Sequence, residues 1–257
     1  MAHAKASLYK AAGGRLSSRM TTPFWNAFDR VYVINLPSRA DRREEMDEQL
    51  RRVGLALDAP RVRLFPAVRP ADAGPFSSIG ARGCFMSHLA VLREAQSRQE
   101  QTILVLEDDA NFARDFERFA APVADQLAAT EWAIFYGGPP GLKGSGSGAC
   151  EAVPASTGIE TTHCVGFRGA SLMVQLAQYL ERQLQRRPGD PAGGPMHVDG
   201  SYSWFRRERP EFVTLAASPP IAYQRSSRSD IYSGRLDRLW GAAPVLAAAR
   251  KLRNRFE

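Results

Sequence analysis

The chain has 257 residues, of which 44% are hydrophobic, enough to bury the core of one large domain or two small ones. It has no apolar run near the ~20 residues of a membrane-spanning helix, and its first residues lack the continuous apolar stretch of a signal peptide. The net charge of +7 and the sequence pI of about 9.7 favour anionic partners, and no nucleic-acid-binding motif accompanies them. Three cysteines without metal-type spacing indicate reduced thiols in a cytosolic protein.

The first 28 residues are rich in alanine, glycine and serine and contain no acidic side chain. A mitochondrial transit peptide has a similar composition, but a flexible, solvated basic segment is the simpler interpretation. We therefore predict that the folded domain covers residues 29–232 and that residues 233–257 form a basic amphipathic tail.

Strand and helix patterns alternate along the folded part. Short apolar runs predict strands at 31–36, 61–68, 102–106, 132–138, 159–167 and 212–218. Apolar residues at helical spacing predict helices at 38–54, 80–96, 110–128, 169–187 and 197–208. This alternation predicts an α/β fold with a mainly parallel central sheet flanked by helices.

Three consecutive carboxylates, Glu107, Asp108 and Asp109, follow the strand predicted at 102–106. Adjacent negative charges repel one another, and burial increases that cost. One explanation is that the carboxylates hold a hard divalent cation, Mn²⁺ or Mg²⁺, which would relieve the repulsion and stabilise charge on a departing diphosphate. The other explanation is that Asp108 or Asp109 caps the following helix.

Polar side chains also follow the end of the strand predicted at 31–36, where Asn35 is followed closely by Arg39, Asp41 and Arg42. In open α/β sheets, ligands bind outside the carboxyl ends of the strands. Arginines at that edge grip phosphate oxygens through paired hydrogen bonds. The alternative is a solvated charged helix with Glu–Arg pairs on its surface.

Cys84 and His88 lie four residues apart on one face of the predicted helix 80–96. A zinc site would need two more ligands, and the similar pair elsewhere in the sequence is His163 with Cys164. A hydrogen-bonded, partly buried His88 is the simpler interpretation.

Several segments, in this order, resemble glycosyltransferase family 25, which includes bacterial lipooligosaccharide galactosyltransferases and collagen hydroxylysine galactosyltransferases. The specific matches are VYVINLPSRADRREEM, GARGCFMSHLAVLREA and ILVLEDDANF, and weaker matches are HVDGSYSWF and PPIAYQRSSRSDI. Together they extend over roughly residues 31–231. The resemblance implies a GT-A-like nucleotide-sugar-binding fold and a glycosyltransferase catalytic domain. It also implies a UDP-sugar donor, usually UDP-galactose, a divalent metal, and inversion at the anomeric carbon.

The resemblance also assigns site residues. It implies metal binding by Asp109, Asp108 and Glu107. It also implies donor binding by residues of four segments: the N-terminal motif, the Cys/Ser–His helix, the acidic run and the Gln–Ser motif. These donor-binding residues are Asn35, Leu36, Arg39, Asp41, Arg42, Ser87, His88, Glu107, Asp108 and Gln224. Asp199, in the Val–Asp motif, is the candidate catalytic base, with metal or sugar binding as its alternative role. The stretch TTHCVGFRGAS departs from the family's Gly-Thr-x-Gly-Tyr-like pattern, so the acceptor side is not assigned.

The function implied is transfer of a hexose, most often galactose, to the hydroxyl of a glycan or lipid-linked saccharide in lipopolysaccharide or other surface-glycan synthesis. We expect a cytoplasmic protein, and the tail at 233–257 either lies on the anionic inner face of a membrane or packs as a terminal helix. Two rival functions remain. One is a glycosyltransferase-like module that binds nucleotide or glycan without turnover, and the other is a metal-dependent phosphoryl-transfer enzyme.

Overall fold

Nine strands, five α-helices and one 3₁₀ helix make up the parts of the chain that this computed structural model describes, residues 22–140 and 149–225. The strands are β1 (Arg30–Asn35), β2 (Val62–Pro66), β3 (Thr102–Glu107), β4 (Ala110–Phe112), β5 (Ile134–Tyr136), β6 (Cys150–Ala152), β7 (Cys164–Arg168), β8 (Thr214–Ala217) and β9 (Ala222–Gln224). The helices are α1 (Ala40–Arg52), α2 (Ile79–Ser97), α3 (Phe116–Ala129), α4 (Ala170–Gln185) and α5 (Val198–Glu208), and the 3₁₀ helix is Pro23–Ala27. The predicted tail at 233–257 lies outside the described residues.

Seven strands form the central sheet in the order β2-β1-β3-β7-β5-β8-β6. Five of them run in the same direction, while β7 and β6 are antiparallel to their neighbours. Strands β4 and β9 form a separate two-stranded sheet. The predicted α/β fold, with most strands of the central sheet sharing one direction, is confirmed.

Helices cover both faces of the central sheet. Side chains alternate along a strand, so Val31 and Val33 of β1 pack on the face covered by α1, α3 and the 3₁₀ helix, whereas Tyr32 and Ile34 pack towards α2. Burial on both faces explains why the strands are nearly continuous apolar runs in the sequence. None of the described helices is long and apolar enough to cross a membrane.

The folded part of the chain begins earlier than residue 29. The 3₁₀ helix buries Phe24 and Trp25, and Phe28 after it is also buried. Trp25 Nε1 donates a hydrogen bond to Val53 O at 3.0 Å, which ties this segment to the end of α1. The boundary predicted at residue 28 is therefore corrected, because apolar side chains at 24, 25 and 28 complete the core beneath α3.

The chain after the acidic run forms a strand before it forms a helix. We predicted a helix from residue 110, but residues Ala110–Phe112 form β4, which pairs with β9, and α3 begins at Phe116. The residue that precedes α3 is Asp115. Asp108 and Asp109 thus lie several residues before the helix and cannot cap it, which removes the capping explanation for the carboxylates.

Candidate functional site

A pocket of about 320 Å³ lies where the carboxyl ends of β1 and β3 meet. Its walls come from the ends of these strands, the segment after β2 and one face of α2, and its lining residues are Ile34, Leu36, Arg42, Ala67, Val68, Arg69, Ile79, Gly80, Gly83, Cys84, Ser87, His88, Glu107, Asp108 and Asp109. The parallel pairing of β1 with β3 places Ile34 beside Glu107, so the acidic run and the segment after Asn35 share one edge of the sheet. Open α/β sheets bind their ligands at this edge.

Asp108 is fully engaged by the protein itself. Its Oδ2 accepts a hydrogen bond from Asn35 Nδ2 at 2.8 Å, and its Oδ1 lies 2.8 Å from Arg42 Nη1. Both members of the ion pair are about nine-tenths buried. Asp108 therefore fixes the junction of β1, α1 and β3, and its oxygens are less available to a cation than we predicted.

Asp109 differs from its neighbour because one of its oxygens has no partner among the residues that the structure describes. Its Oδ2 accepts from Gln224 Nε2 at 3.2 Å and lies 4.0 Å from Arg42 Nη1, but its buried Oδ1 makes no hydrogen bond with any of them. Burial, together with the negative charge of Glu107, raises the pKa of Asp109 to about 7. A buried carboxylate oxygen without a donor is costly, and a bound cation would remove that cost.

Glu107 lies at the centre of a hydrogen-bonded group that connects three elements. Its Oε1 accepts from Thr162 Oγ1 at 2.6 Å and lies 3.3 Å from His88 Nε2 and 4.0 Å from Cys84 Sγ. Burial works against ionisation, but the hydrogen bonds from His88 and Thr162 outweigh it and lower the pKa of Glu107. Glu107 is thus held ionised beside Asp109.

These oxygen atoms suit a hard divalent cation. Mn²⁺ and Mg²⁺ prefer carboxylate oxygens. Asp109 and Glu107 both line the pocket, and Asp109 Oδ1 has no hydrogen-bond partner among the described residues. The residues that would hold such an ion are therefore Asp109 and Glu107, while Asp108 is bound to Arg42 and Asn35.

Comparisons with known proteins address this same segment. The family model described as Glycosyltransferase family 25 (LPS biosynthesis protein) matches residues 64–137, which contain β2, α2 and the acidic run. The resemblance to glycosyltransferase family 25 is confirmed. The matched residues are a minority of the chain, and Asn35 and Asp199 lie outside them.

Individual proteins similar to this chain include members of the same family. Procollagen galactosyltransferase 2 of Mus musculus is 30% identical over 127 residues, which are 42% of this chain and 20% of that protein. The inactive glycosyltransferase 25 family member 3 of Homo sapiens is 28% identical over 145 residues, covering 49% of this chain and 24% of that protein. This chain thus spans about a fifth to a quarter of the length of these relatives. A crystal structure of a glycosyltransferase involved in the glycosylation of the major capsid of PBCV-1 aligns with a TM-score of 0.38 and 10% identity, covering 78% of this chain and 94% of that one.

The family's N-terminal motif divides between the pocket and the surface. Leu36 and Arg42 line the pocket, whereas Arg39 and Asp41 are not among its lining residues. Arg39 Nη2 lies 2.8 Å from Asp41 Oδ2, and its hydrogen bonds lower the pKa of this exposed carboxyl to about 2. The structure thus brings Leu36 and Arg42, but not Arg39 and Asp41, to the pocket that the carboxylates line.

The family's Cys/Ser–His helix forms one wall of the pocket. Ser87 is buried, and its Oγ accepts from Val68 N at 2.8 Å and donates to Gly83 O at 2.7 Å. A Cβ atom on Gly83 would lie 2.6 Å from Val68 O, so the glycine permits the close approach of α2 to the segment after β2. Ser87, predicted to bind the donor, uses its hydroxyl to position this wall.

Asp199 stands beside the pocket and does not line it. Its Oδ2 accepts from Thr161 N at 3.1 Å and its Oδ1 accepts from Gly200 N at 2.7 Å, in the first turn of α5. Because the next residue, Thr162, binds Glu107, residues 161–162 connect the candidate base to the acidic run. The charge of Asp199 also contributes, after burial and after that of Glu107, to the raised pKa of the Cys84 thiol.

Two arginines at the site were missed by sequence reasoning. Arg69 lies exposed on the lining of the pocket, and the one signal for it was its place after β2. Arg225 donates from Nη2 to Asp108 O at 3.1 Å and from Nη1 to Asn111 Oδ1 at 3.2 Å, and it pairs with Glu45 at 2.6 Å. Its position directly after Gln224, in a segment that resembles the family, was the available signal.

Proposed function

We propose that this chain is a metal-dependent, inverting glycosyltransferase that moves a hexose from a UDP-sugar to a hydroxyl of a glycan acceptor. The observation that carries the proposal is the buried Asp109 Oδ1, which has no hydrogen-bond partner among the described residues and belongs to a side chain that lines a pocket at the ligand-binding edge of the sheet. The confirmed resemblance to glycosyltransferase family 25 supports the reaction class.

The pocket offers complementary surfaces to the parts of a nucleotide sugar. Its volume of about 320 Å³ falls within the range of small-molecule sites, ~300–1,000 Å³. Apolar side chains on one wall, Ile34, Leu36 and Val68, would pack against the nucleoside. Arg69 would hold phosphate oxygens, since a guanidinium binds them through paired hydrogen bonds.

Glu107 and Asp109, which line the same pocket, would hold the divalent cation, with Mn²⁺ or Mg²⁺ as the candidate. When bound, such an ion neutralises the charge on the departing diphosphate. The acidic turn is held in place by Asp108, which contacts both Arg42 and Asn35. Gln224 donates to Asp109 Oδ2, and Oδ1, which has no hydrogen-bond partner among the described residues, would be the better ligand atom.

Asp199 is our candidate for the base in the transfer step. The acceptor O–H gives its proton to the Asp199 carboxylate while its oxygen forms the new bond to the anomeric carbon. The bond from that carbon to the diphosphate oxygen breaks, and its electron pair leaves with UDP. Attack opposite the leaving group gives inversion. Backbone N–H groups of Thr161 and Gly200 hold the carboxylate in place for this transfer.

The names of the relatives support the finer assignment. The procollagen galactosyltransferases among them support galactose as the donor sugar, and the description of the family supports an acceptor in lipopolysaccharide synthesis. We therefore place UDP-galactose first among donors and a glycan or lipid-linked saccharide first among acceptors. Attachment to an anionic membrane depends on residues 233–257, which lie outside the described structure.

The cation site is tested by UDP binding measured calorimetrically with Mn²⁺ and again with a chelator. Asp109→Asn removes the charge that we assign to the metal and should abolish the Mn²⁺-dependent part of UDP binding. Asp115→Asn is the matched control, because Asp115 is exposed and its side chain makes no capping hydrogen bond. Full wild-type activity in chelator would contradict the metal assignment.

The base is tested by the same assay combined with turnover. Removal of a positioned general base lowers the rate by about 10²–10⁴-fold, so Asp199→Asn should abolish transfer while UDP still binds. If UDP binding and transfer are lost together, Asp199 is a ligand of donor or metal and the base is a different group.

A non-catalytic binding module remains the second candidate, favoured by one observation. Some relatives are named inactive members of the family, including those of Homo sapiens and Bos taurus. A screen for hydrolysis and transfer across UDP-sugars, with and without Mn²⁺, separates the two functions. Donor binding without any turnover would favour the module and overturn the proposed activity.

A further inference from the structure

We propose that Cys84, His88 and Glu107 form a second cation site, one that binds Zn²⁺ and shares Glu107 with the manganese site. One ligand atom from each residue lies within 4.8 Å of the other two. The proposal concerns the metal chemistry of the pocket, and it stands whether or not the protein transfers sugar.

The distances allow one ion to reach all three side chains with small movements. Zinc bonds are about 2.3 Å to sulfur, about 2.0–2.1 Å to imidazole nitrogen and about 2.0–2.2 Å to carboxylate oxygen. Cys84 Sγ lies 4.0 Å from Glu107 Oε1, and His88 Nε2 lies 3.3 Å from it. Each separation is smaller than the sum of the two bond lengths, so an ion between the atoms can contact both partners.

The protein also holds these side chains as a metal site requires. Cys84 and His88 lie four residues apart on α2, which places them one above the other on the same face. His88 Nδ1 lies 3.0 Å from the hydroxyl of buried Tyr202. This hydroxyl can accept a hydrogen bond from Nδ1–H as well as donate one, so His88 can present its Nε2 lone pair to a cation.

The site is open on the side where a fourth ligand would bind. Cys84, His88 and Glu107 all line the 320 Å³ pocket, and Cys84 is partly exposed. Three protein ligands with an open fourth position are typical of zinc sites that exchange water or substrate. Of the pair that the sequence offered, Cys164 packs in the core on the opposite face of the sheet, and His163 is not in the group of donor atoms that the described residues bring together.

The donor atoms distinguish this site from the manganese site. Thiolate and imidazole favour Zn²⁺ over Mn²⁺, and carboxylate oxygens alone favour the harder ion. Since Glu107 belongs to both sets, a Zn²⁺ ion on Cys84 removes a ligand from the manganese site. Zinc should therefore bind in competition with Mn²⁺ and weaken Mn²⁺-dependent UDP binding.

The test uses Co²⁺ as a spectroscopic probe for Zn²⁺ on the full chain, with a phosphine reductant in place of thiols. We expect one Co²⁺ per chain, a thiolate-to-cobalt charge-transfer band in the near ultraviolet, and loss of the band when Zn²⁺ is added. Cys84→Ser should abolish the band, whereas Cys150→Ser, which changes a buried thiol outside the pocket, should leave it unchanged. Tyr202→Phe should weaken zinc binding by about 10–100-fold, the usual effect of removing an outer-shell partner.

A second measurement needs no variant. Zn²⁺ should slow the alkylation of Cys84 in the wild-type protein, as mass spectrometry of the labelled peptides would show. The proposal is overturned if no charge-transfer band forms, if the band persists in Cys84→Ser, or if saturating Zn²⁺ leaves Cys84 alkylation unchanged. None of these results depends on turnover, so they are separate from the test of Asp109.

Discussion

Replacement of Arg42 by methionine should destabilise the protein far more than loss of a surface arginine. The guanidinium of Arg42 and the carboxylate of Asp108 are each about nine-tenths buried and lie 2.8 Å apart. Removal of one partner of a buried pair costs about 3–5 kcal/mol, because the remaining charge stays in a poorly solvated place. Asn35 still donates to Asp108, so we expect the lower end, about 3 kcal/mol.

This loss is measurable by thermal unfolding followed by circular dichroism. At about 2–4 °C per kcal/mol for a chain of this size, Arg42→Met should lower Tm by ~6–12 °C. The control is Arg98→Met, whose guanidinium is half exposed and pairs with Glu94 at 3.0 Å. An exposed pair contributes about 0–1 kcal/mol, so its Tm should change little. Equal shifts in the two variants would refute the argument that Asp108 is held by a buried charge.

Three further predictions concern the scaffold. Gly83→Ala places a Cβ atom against a backbone oxygen and should lower the free energy of unfolding by about 1–3 kcal/mol in urea titrations. Burial works against the ionisation of Asp47, but hydrogen bonds from Leu57 N and Arg51 outweigh it and lower the pKa of Asp47 below its ordinary 3.8. Its stabilising effect is therefore present at pH values well above the ordinary pKa and is lost as the pH falls through the lowered value. Asp47→Asn should accordingly have a lower free energy of unfolding than the wild type at pH 7, and the two values should converge at low pH. Trp25→Ala should lower the free energy of unfolding by about 3–5 kcal/mol, because the ring is almost completely buried. This loss would show that the segment before residue 29 belongs to the folded domain.

Matched substitutions accompany these three variants. Gly158→Ala meets open space at a φ that alanine accepts, so its urea midpoint should not fall below that of the wild type. Asp58→Asn changes a highly exposed carboxylate, and a pH dependence like that of Asp47→Asn would count against the Asp47 argument. Trp204→Ala removes a partly exposed ring and should cost less than Trp25→Ala.

The central strands and helices could be predicted because their signals are local. Burial on both faces makes β1 and β3 continuous apolar runs, and α2 and α4 keep one apolar face each. The pair β4–β9 could not be predicted, because it joins three-residue segments more than a hundred residues apart. Short strands carry little periodicity, and Phe112 therefore fitted the pattern of the helix that begins at Phe116.

The site could be predicted as far as its residue types, but the roles depend on contacts distant in sequence. The acidic run at the end of β3 was evident in the sequence, whereas the different contacts of its three carboxylates were not. Asp108 is neutralised by Arg42, which is 66 positions away, and Glu107 is hydrogen-bonded by His88 and Thr162. No local pattern encodes such pairs. Ser87 shows the same limit, since its hydroxyl is taken by Val68 and Gly83 once α2 packs against the segment after β2.

The three carboxylates can be neighbours because the fold gives each a different electrostatic partner. Asp108 meets the charge of Arg42, and Glu107 meets hydrogen-bond donors from α2 and from the loop before β7. Asp109 receives the weakest compensation, a single amide from Gln224 and a guanidinium 4.0 Å away, and one of its buried oxygens has no hydrogen-bond partner among the described residues. A cation would complete this arrangement, because it would supply positive charge to an oxygen that meets no donor there. Glu107 would be shared by the two proposed sites, so Asp109 on one side and the thiol and imidazole of Cys84 and His88 on the other would decide whether a hard or a softer cation is favoured.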